Sequence, residues 1–197
     1  MYVFDNYYTL GELAKTAYSL VMTKLLHPRA SLIRRPFYLR GGKRVIFGRG
    51  FRTGYRCRIE TFGEKDDTSI KLSIGQNCHI GDNVHIAAAQ RVTIGNDCLL
   101  ASHIFISDCS HGDTSESAPT QHPELRPLIS KPTEIGDNVW IGENVCVLMG
   151  ARIGTGCIVG ANSVVNREFP DYCIIAGIPA RIIKQYDFSK SKWLKKA

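Results

Sequence analysis

Residues Ile74 to Arg91 read IGQNCH, IGDNVH, IAAAQR: three consecutive six-residue units, each opened by Ile. After a two-residue slip at Val92-Thr93 the period resumes as IGNDCL, LASHIF, ISDCSH, from Ile94 to His111. From Ile135 it continues as IGDNVW, IGENVC, VLMGAR, IGTGCI, VGANSV, and Val165 opens another unit. Weaker units begin at Phe47, Thr53 and Ile59. A unit this short cannot bury a face alone, so successive units must stack into a continuous core.

This pattern predicts an all-β solenoid in which each unit is a short strand and a corner. Three units close one triangular turn, with the leading aliphatics inward and piled on their equivalents one turn later. Gly after the aliphatic suits a corner where positive φ is needed or a Cβ would clash. Grouping by eighteens gives five turns, starting near Phe47, Ile74, Ile94, Ile135 and Ile153. Such a prism is roughly 24 Å tall at the usual strand spacing. An antiparallel sandwich would need recurrent hairpin turn pairs, which do not occur. Cys78, Cys98 and Cys157 fall in the slot otherwise filled by Val, Ala or Ser, and are expected as small buried apolar residues.

Three segments depart from the period. Residues 1–46 precede it; there Thr9-Leu10-Gly11-Glu12 is a capping-box pattern, and apolar residues recur at helical spacing up to Pro28. Packing against the prism or another subunit is the expected use of this helix, with a membrane surface as the alternative. Residues 63–73 form a short polar insertion. Residues 112–134 form a long loop with four prolines, the kind of insertion that tends to be functional. The expected organisation is thus an N-terminal helical and extended segment (1–46), the repeat body (47–170) and a C-terminal extension (171–197).

The 197 residues suit one domain, and the formal net charge of +7 favours an anionic partner without naming it. An odd count of seven cysteines with no C-x-x-C pair, and no signal-like or spanning segment, predicts a reducing, cytoplasmic setting.

Three motifs carry a resemblance: ISDCSHG (Ile106 to Gly112), IGDNVWIG (Ile135 to Gly142) and AGIPARIIK (Ala176 to Lys184). Together with the repeat and the long loop, they make residues 45–184 resemble the left-handed β-helix hexapeptide acyltransferases. Within these the similarity is greatest to bacterial surface-polysaccharide O-acetyltransferases, relatives of the maltose and galactoside enzymes. The left hand of the coil comes from this resemblance alone, since ordinary parallel crossovers are right-handed. The resemblance also implies a homotrimer with acetyl-CoA in clefts between neighbouring prisms and a sugar or glycan acceptor.

Acetyl transfer from a thioester to a hydroxyl needs a base for the hydroxyl proton and donors for the tetrahedral oxyanion. A base near a cleft and an overhanging loop describes His111, which ends the last unit before the long loop and occupies the base position of the family motif. His85 is a candidate acceptor contact; His27, His79, His103 and His122 have solvated or structural readings. Asp108 either orients His111, contacts the sugar, or satisfies backbone amides. Ser110 is expected in an inward slot.

For the cofactor, the resemblance implies Trp140 at a prism corner against CoA, backbone amides at Gly142 and Ala161, and basic approaches from Arg167, Arg181 and Lys184. Glu143 stands where relatives commonly carry Ser, leaving its main-chain amide as the expected contact. The acceptor-binding Asn of the galactoside enzymes falls near Gly81, so that contact is absent or moves to Asn83. Basic residues crowd Arg29 to Arg58 and close the chain at Lys190, Lys192, Lys195 and Lys196, a charge that suits a lipid-linked or acidic glycan and peripheral membrane contact. Two rivals stand beside this reading. A zinc carbonic anhydrase on the same prism needs three convergent histidines, but the histidines lack the H-x4-H spacing associated with that family. A non-catalytic scaffold or polyanion-binding module would use the positive charge, but no aromatic-plus-basic platform for nucleic acid is visible. No metal site is expected.

Overall fold

The structure is a computed structural model that describes residues 8–112 and 119–195; part of the long loop and Lys196 lie outside the described residues. Helix α1 (Leu10–Leu26) comes first, after which the chain visits three sheets in rotation. The first turn is β1 (Leu32–Ile33), β2 (Tyr38–Arg40) and β3 (Val45–Phe47); the second is β4 (Arg52–Thr53), β5 (Arg58–Thr61) and β6 (Leu72–Ile74). The third is β7 (His79–Ile80), β8 (His85–Ala88) and β9 (Val92–Ile94). In the fourth, β10 (Leu99–Leu100) and β11 (Phe105–Ser107) lead into a hairpin of β12 (Cys109–His111) and β13 (Leu128–Ser130) before β14 (Thr133–Ile135) completes the circuit. The fifth is β15 (Trp140–Ile141), β16 (Cys146–Val147) and β17 (Arg152–Ile153); the sixth is β18 (Ile158–Val159), β19 (Val164–Val165) and β20 (Glu168–Phe169). β21 (Cys173–Gly177) extends the first face, and β22 (Ala180–Asp187) and β23 (Lys192–Lys195) add to it antiparallel.

Parallel register stacks the leading aliphatics in columns. Ile80, Leu100, Ile141, Val159 and Ile175 line the first face; Ile59, Ile86, Ile106, Val147 and Val165 the second; Ile74, Ile94, Ile135, Ile153 and Phe169 the third. All are buried, as are Cys78, Cys98 and Cys157. Cys78 and Cys98 donate to the carbonyls of Gly95 and Gly136 in the next turn, at 3.0 and 3.1 Å. The expected count of five turns is corrected to six. The segment expected to precede the coil supplies its first turn, because β1, β2 and β3 pair in parallel with β4, β5 and β6. That turn's residues in the same inward columns are Ile33, Leu39 and Phe47, of which only Phe47 is followed by the Gly that marks later units.

The glycines that directly follow the leading aliphatics act by close approach and not by positive φ. A Cβ on Gly75 would lie 2.5 Å from the Gly95 carbonyl oxygen, and one on Gly142 would lie 2.7 Å from the Ala161 nitrogen. Positive φ falls two residues later, on Asn77, Asn83, Asp97 and Asn138 (54–57°), residues that tolerate the left-handed region better than most. Corner side chains then cap the amides of the preceding turn: Asp82 accepts from the Tyr55 amide (2.7 Å), Ser102 from Asp82 (3.0 Å) and Glu143 from Ser102 (3.0 Å).

Both ends of the core are closed. Phe47 stacks on Phe51 at 4.7 Å, with Phe37 and His27 against its edge, at the N-terminal end. Tyr172, Tyr186, Phe188 and Trp193 cluster at the other. Helix α1 has the expected capping box between Thr9 and Glu12. It meets its own coil through hydroxyl groups and not through the apolar residues whose spacing predicts the helix. The hydroxyl of Thr23 accepts from the Ile33 amide (2.8 Å) and that of Ser19 from the Arg35 amide (3.1 Å), which satisfies the open edge of β1. Leu10, Leu13, Leu20, Val21 and Leu25 remain exposed.

Candidate active site

The hairpin β12–β13 leaves the second face after Ser107 and folds back over it, enclosing a cleft of about 530 Å³. The floor is the outer surface of that face, contributed by Glu60, Phe62, His85, Ala87, Phe105 and Ser107; the roof is Cys109, Ser110, His111, Glu124, Arg126 and Leu128. Sequence position thus puts His85 and His111 on opposite walls of one cleft. Ser110 is exposed to it and not inward, because the strand has already left the prism at Asp108.

Asp108 is the root of the roof. It is fully buried, and its carboxylate accepts from the amides of Ala89 (2.7 Å), Gln90 (2.7 Å) and Arg91 (2.5 Å) in the preceding turn. Its carbonyl accepts from the Lys131 amide where the hairpin returns, at 2.9 Å. Both carboxylate oxygens are therefore engaged with backbone, which corrects its expected roles of orienting His111 or contacting the sugar. The Thr133 hydroxyl donates to the Ser107 carbonyl (3.0 Å) and ties down the other leg.

The floor holds a residue that sequence reasoning missed. Glu60 has 5% of its side chain exposed and accepts from Arg40 Nη1 (2.6 Å), Arg58 Nε (2.7 Å) and His85 Nε2 (3.0 Å). Burial pushes its carboxyl up, but the hydrogen bonds from Arg58 and His85, the Arg58 charge and the bond from Arg40 outweigh this and hold it below its ordinary value. The His85 ring tilts against Phe105 at 5.3 Å. Asn83 lies at a corner outside the cleft lining: its Oδ1 accepts from Arg56 Nε (2.8 Å) and its Nδ2 is 3.0 Å from His103 Nε2. Asn83 is therefore not brought together with His85 and His111 in this cleft.

The expected cofactor residues lie mostly on the first face. Trp140 sits in β15 within the sheet and not at a corner, 50% exposed between Leu99 and Ile158. The Gly142 amide donates to the Val159 carbonyl (2.9 Å), so it is engaged in the coil and is not on offer. The Glu143 carboxylate turns back to His103 Nδ1 (3.0 Å) and the Ser102 amide; the His103 bond and then the Ser102 bond hold its pKa below the ordinary value. The capping series ends there, because Ala161 in the next turn has no side-chain acceptor for the Glu143 amide. Arg181 and Lys184 lie on β22, which continues the first face beyond β21, whereas Arg167 lies at the corner between the second and third faces. Within one chain, Trp140 and the His111 cleft are thus on different faces. Among the described residues no group of three His, Cys, Asp or Glu could hold a metal ion, and no helix is long and apolar enough to cross a membrane.

Two family profiles match the coil: a bacterial transferase hexapeptide (six repeats) over residues 132–167 and a hexapeptide repeat of succinyl-transferase over 71–106. WbbJ of Escherichia coli K12, provisionally named an O-acetyl transferase of lipopolysaccharide biosynthesis, is 38% identical over 192 residues, covering 95% of each chain. The galactoside O-acetyltransferase of the same organism is 35% identical over 59% of this chain and 58% of its own. Among solved structures, the Bacillus cereus N-acyltransferase AntD shares the fold, with a TM-score of 0.68 at 19% identity over 93% of this chain and 92% of that one. The acetyltransferase VCA0836 of Vibrio cholerae, solved with acetyl-CoA, gives 0.54 at 29% identity over 76% and 70%. The stacked six-residue coil and the end-to-end relationship to WbbJ lead to one assignment: the chain belongs to the hexapeptide-repeat acetyltransferase family.

Proposed function

We propose that the protein is an acetyl-CoA-dependent O-acetyltransferase acting on a hydroxyl of a sugar or surface-polysaccharide precursor. The observation that carries the reading is the cleft under the hairpin, with His111 on its roof, in a chain related along its whole length to WbbJ. His111 takes the proton of the acceptor hydroxyl as that oxygen attacks the thioester carbonyl. The tetrahedral oxyanion collapses, the carbon–sulfur bond breaks, and the CoA thiolate leaves and recovers the proton from the imidazolium. No acyl-enzyme forms.

The coil is left-handed in this reading, and the working unit is a homotrimer. Its support is the placement of Trp140 and His111 on different faces, which a neighbouring prism would bring together. Trp140, the main chain at Glu143 and Ala161, and the basic side chains of Arg181 and Lys184 then serve CoA. A cytoplasmic site of action, where acetyl-CoA is made, belongs to the same reading.

Thiol release from acetyl-CoA, measured against monosaccharides, sugar nucleotides and lipid-linked oligosaccharides, tests the reaction. Acceptor-dependent release is expected, and none with any acceptor contradicts it. Mixing His111→Ala chains with Trp140→Ala chains should restore part of the activity. Failure to do so in verified mixed oligomers counts against a site shared between subunits.

A further inference from the structure

Glu60 is buried on the outer surface of a sheet, where the same column carries only Ala87 and Ser107 in the next two turns. A buried carboxylate ringed by Arg40, Arg58 and His85 is a weak way to stabilise a coil, because desolvation offsets much of the attraction. It is an effective way to hold a ring. A carboxylate oxygen can only accept, so the His85 Nε2 facing it at 3.0 Å carries the proton. In the neutral imidazole the lone pair is then on Nδ1. Among the described residues Nδ1 has no hydrogen-bond partner, and the ring lines the cleft opposite His111. The two arginines hold Glu60 at both oxygens, and Phe105 backs the ring.

We propose that Glu60 is a positioning residue that fixes His85 with Nδ1 as a hydrogen-bond acceptor, forming a subsite for a second hydroxyl of the acceptor beside the one His111 deprotonates. The inference rests on the O-acetyltransferase reading and narrows its acceptor to a polyol, with one hydroxyl for His111 and a second for His85 across the cleft. Phe62 and Phe105 supply apolar surface on the same floor for the ring carbons of a sugar.

Two measurements test it, and the first is independent of activity. Nitrogen-15 NMR of histidine-labelled wild-type protein above the titration range, with the His85 signals assigned by their loss in His85→Ala, should show Nε2 protonated and Nδ1 bare. A proton on Nδ1 overturns the proposal. Glu60→Ala should let both tautomers appear, whereas Glu60→Gln, which keeps an acceptor oxygen, should retain the wild-type one. The second measurement is steady-state acetyl transfer to methyl hexopyranosides and their monodeoxy analogues. His85→Ala should raise the acceptor KM by about tenfold, the effect of one lost hydrogen bond, with kcat and the acetyl-CoA KM within about threefold. One monodeoxy analogue should show the same penalty with wild type and no further penalty with His85→Ala. A kcat loss as large as that of His111→Ala would make His85 the base, and unchanged kinetics would leave it without a role; either overturns the subsite. Absence of transfer to any acceptor would defeat the O-acetyltransferase reading and leave the tautomer result to judge Glu60 alone.

Discussion

The floor and the roof of the cleft are held by different means. The floor is three strands in parallel register, with β8 paired over four residues to β5 and over three to β11, so its side chains are fixed by the coil itself. The roof is a hairpin of three residue pairs whose root is one buried carboxylate on three amides. A floor of this kind suits binding, because its groups are pre-organised at no further cost when the acceptor arrives. A roof of this kind can carry the base yet is vulnerable at its root. Substitutions should therefore separate into those that remove chemistry, those that loosen the roof, and those that leave the cleft untouched.

Removing the roof's chemistry should have the largest effect. His111→Ala should lower kcat by about 10²–10⁴, the range for loss of a general base, with the melting temperature unchanged because the side chain is exposed. Near-normal turnover in a folded variant would take the base away from the roof. Next comes the root. Asp108→Ala removes the buried carboxylate that accepts from the amides of Ala89, Gln90 and Arg91 and should cost on the order of 2 kcal/mol in denaturant unfolding. Activity should fall with it, and Asp108→Asn should recover part of both. If stability falls while kcat holds, the hairpin does not depend on its root.

The floor makes its own prediction with pH. The Glu60 pKa is held below its ordinary value in the folded protein, so ionised Glu60 contributes stability above the ordinary carboxylate pKa. That contribution is lost as pH falls through the lowered value. Acid unfolding curves of wild type and Glu60→Gln should converge at low pH and separate above it, and parallel curves throughout would deny Glu60 this role.

Two smaller effects bracket the cleft. Thr23→Val removes the hydroxyl that accepts from the Ile33 amide and should cost about 1 kcal/mol with kinetics unchanged. Arg181→Ala combined with Lys184→Ala should raise the acetyl-CoA KM only a few-fold, and less at high salt, as exposed charges do. A large change in kcat from either would mean that the cleft is coupled to the ends of the coil.

The parts of this molecule that were legible in its sequence are those repeated by the coil. Six-residue spacing revealed three faces and the inward columns, and it failed only in the first turn, where Arg34, Arg35 and Pro36 replace the Ile-Gly signature. The place of His111 by the cleft was legible because the long loop follows the unit it ends, whereas the slot of His85 is shared by His79, which the coil puts on another face. Glu60 was not legible, because the insertion at 63–73 separates it from Ala87, its register partner, by far more than one regular turn. Asp108 was half legible. Its amides belong to residues 89–91, one turn upstream, so a search at turn spacing would have found what a search for local Asx turns could not. Helix α1 shows the opposite failure: its apolar spacing was clear, but the edge of β1 needed hydroxyl acceptors for its amides, and Ser19 and Thr23 supplied them.

Following the acetyl group shows whether a base on the roof moves it from a thioester to a hydroxyl held in this cleft. Wild-type protein and His111→Ala would each be incubated with radiolabelled acetyl-CoA and the same saccharide panel, and the products treated with mild alkali. Wild type should place alkali-labile label on a saccharide in step with thiol release, and His111→Ala should do so about 10²-fold more slowly or worse while still binding CoA. Equal labelling by both proteins, or label retained on the protein instead of the saccharide, would contradict such a transfer.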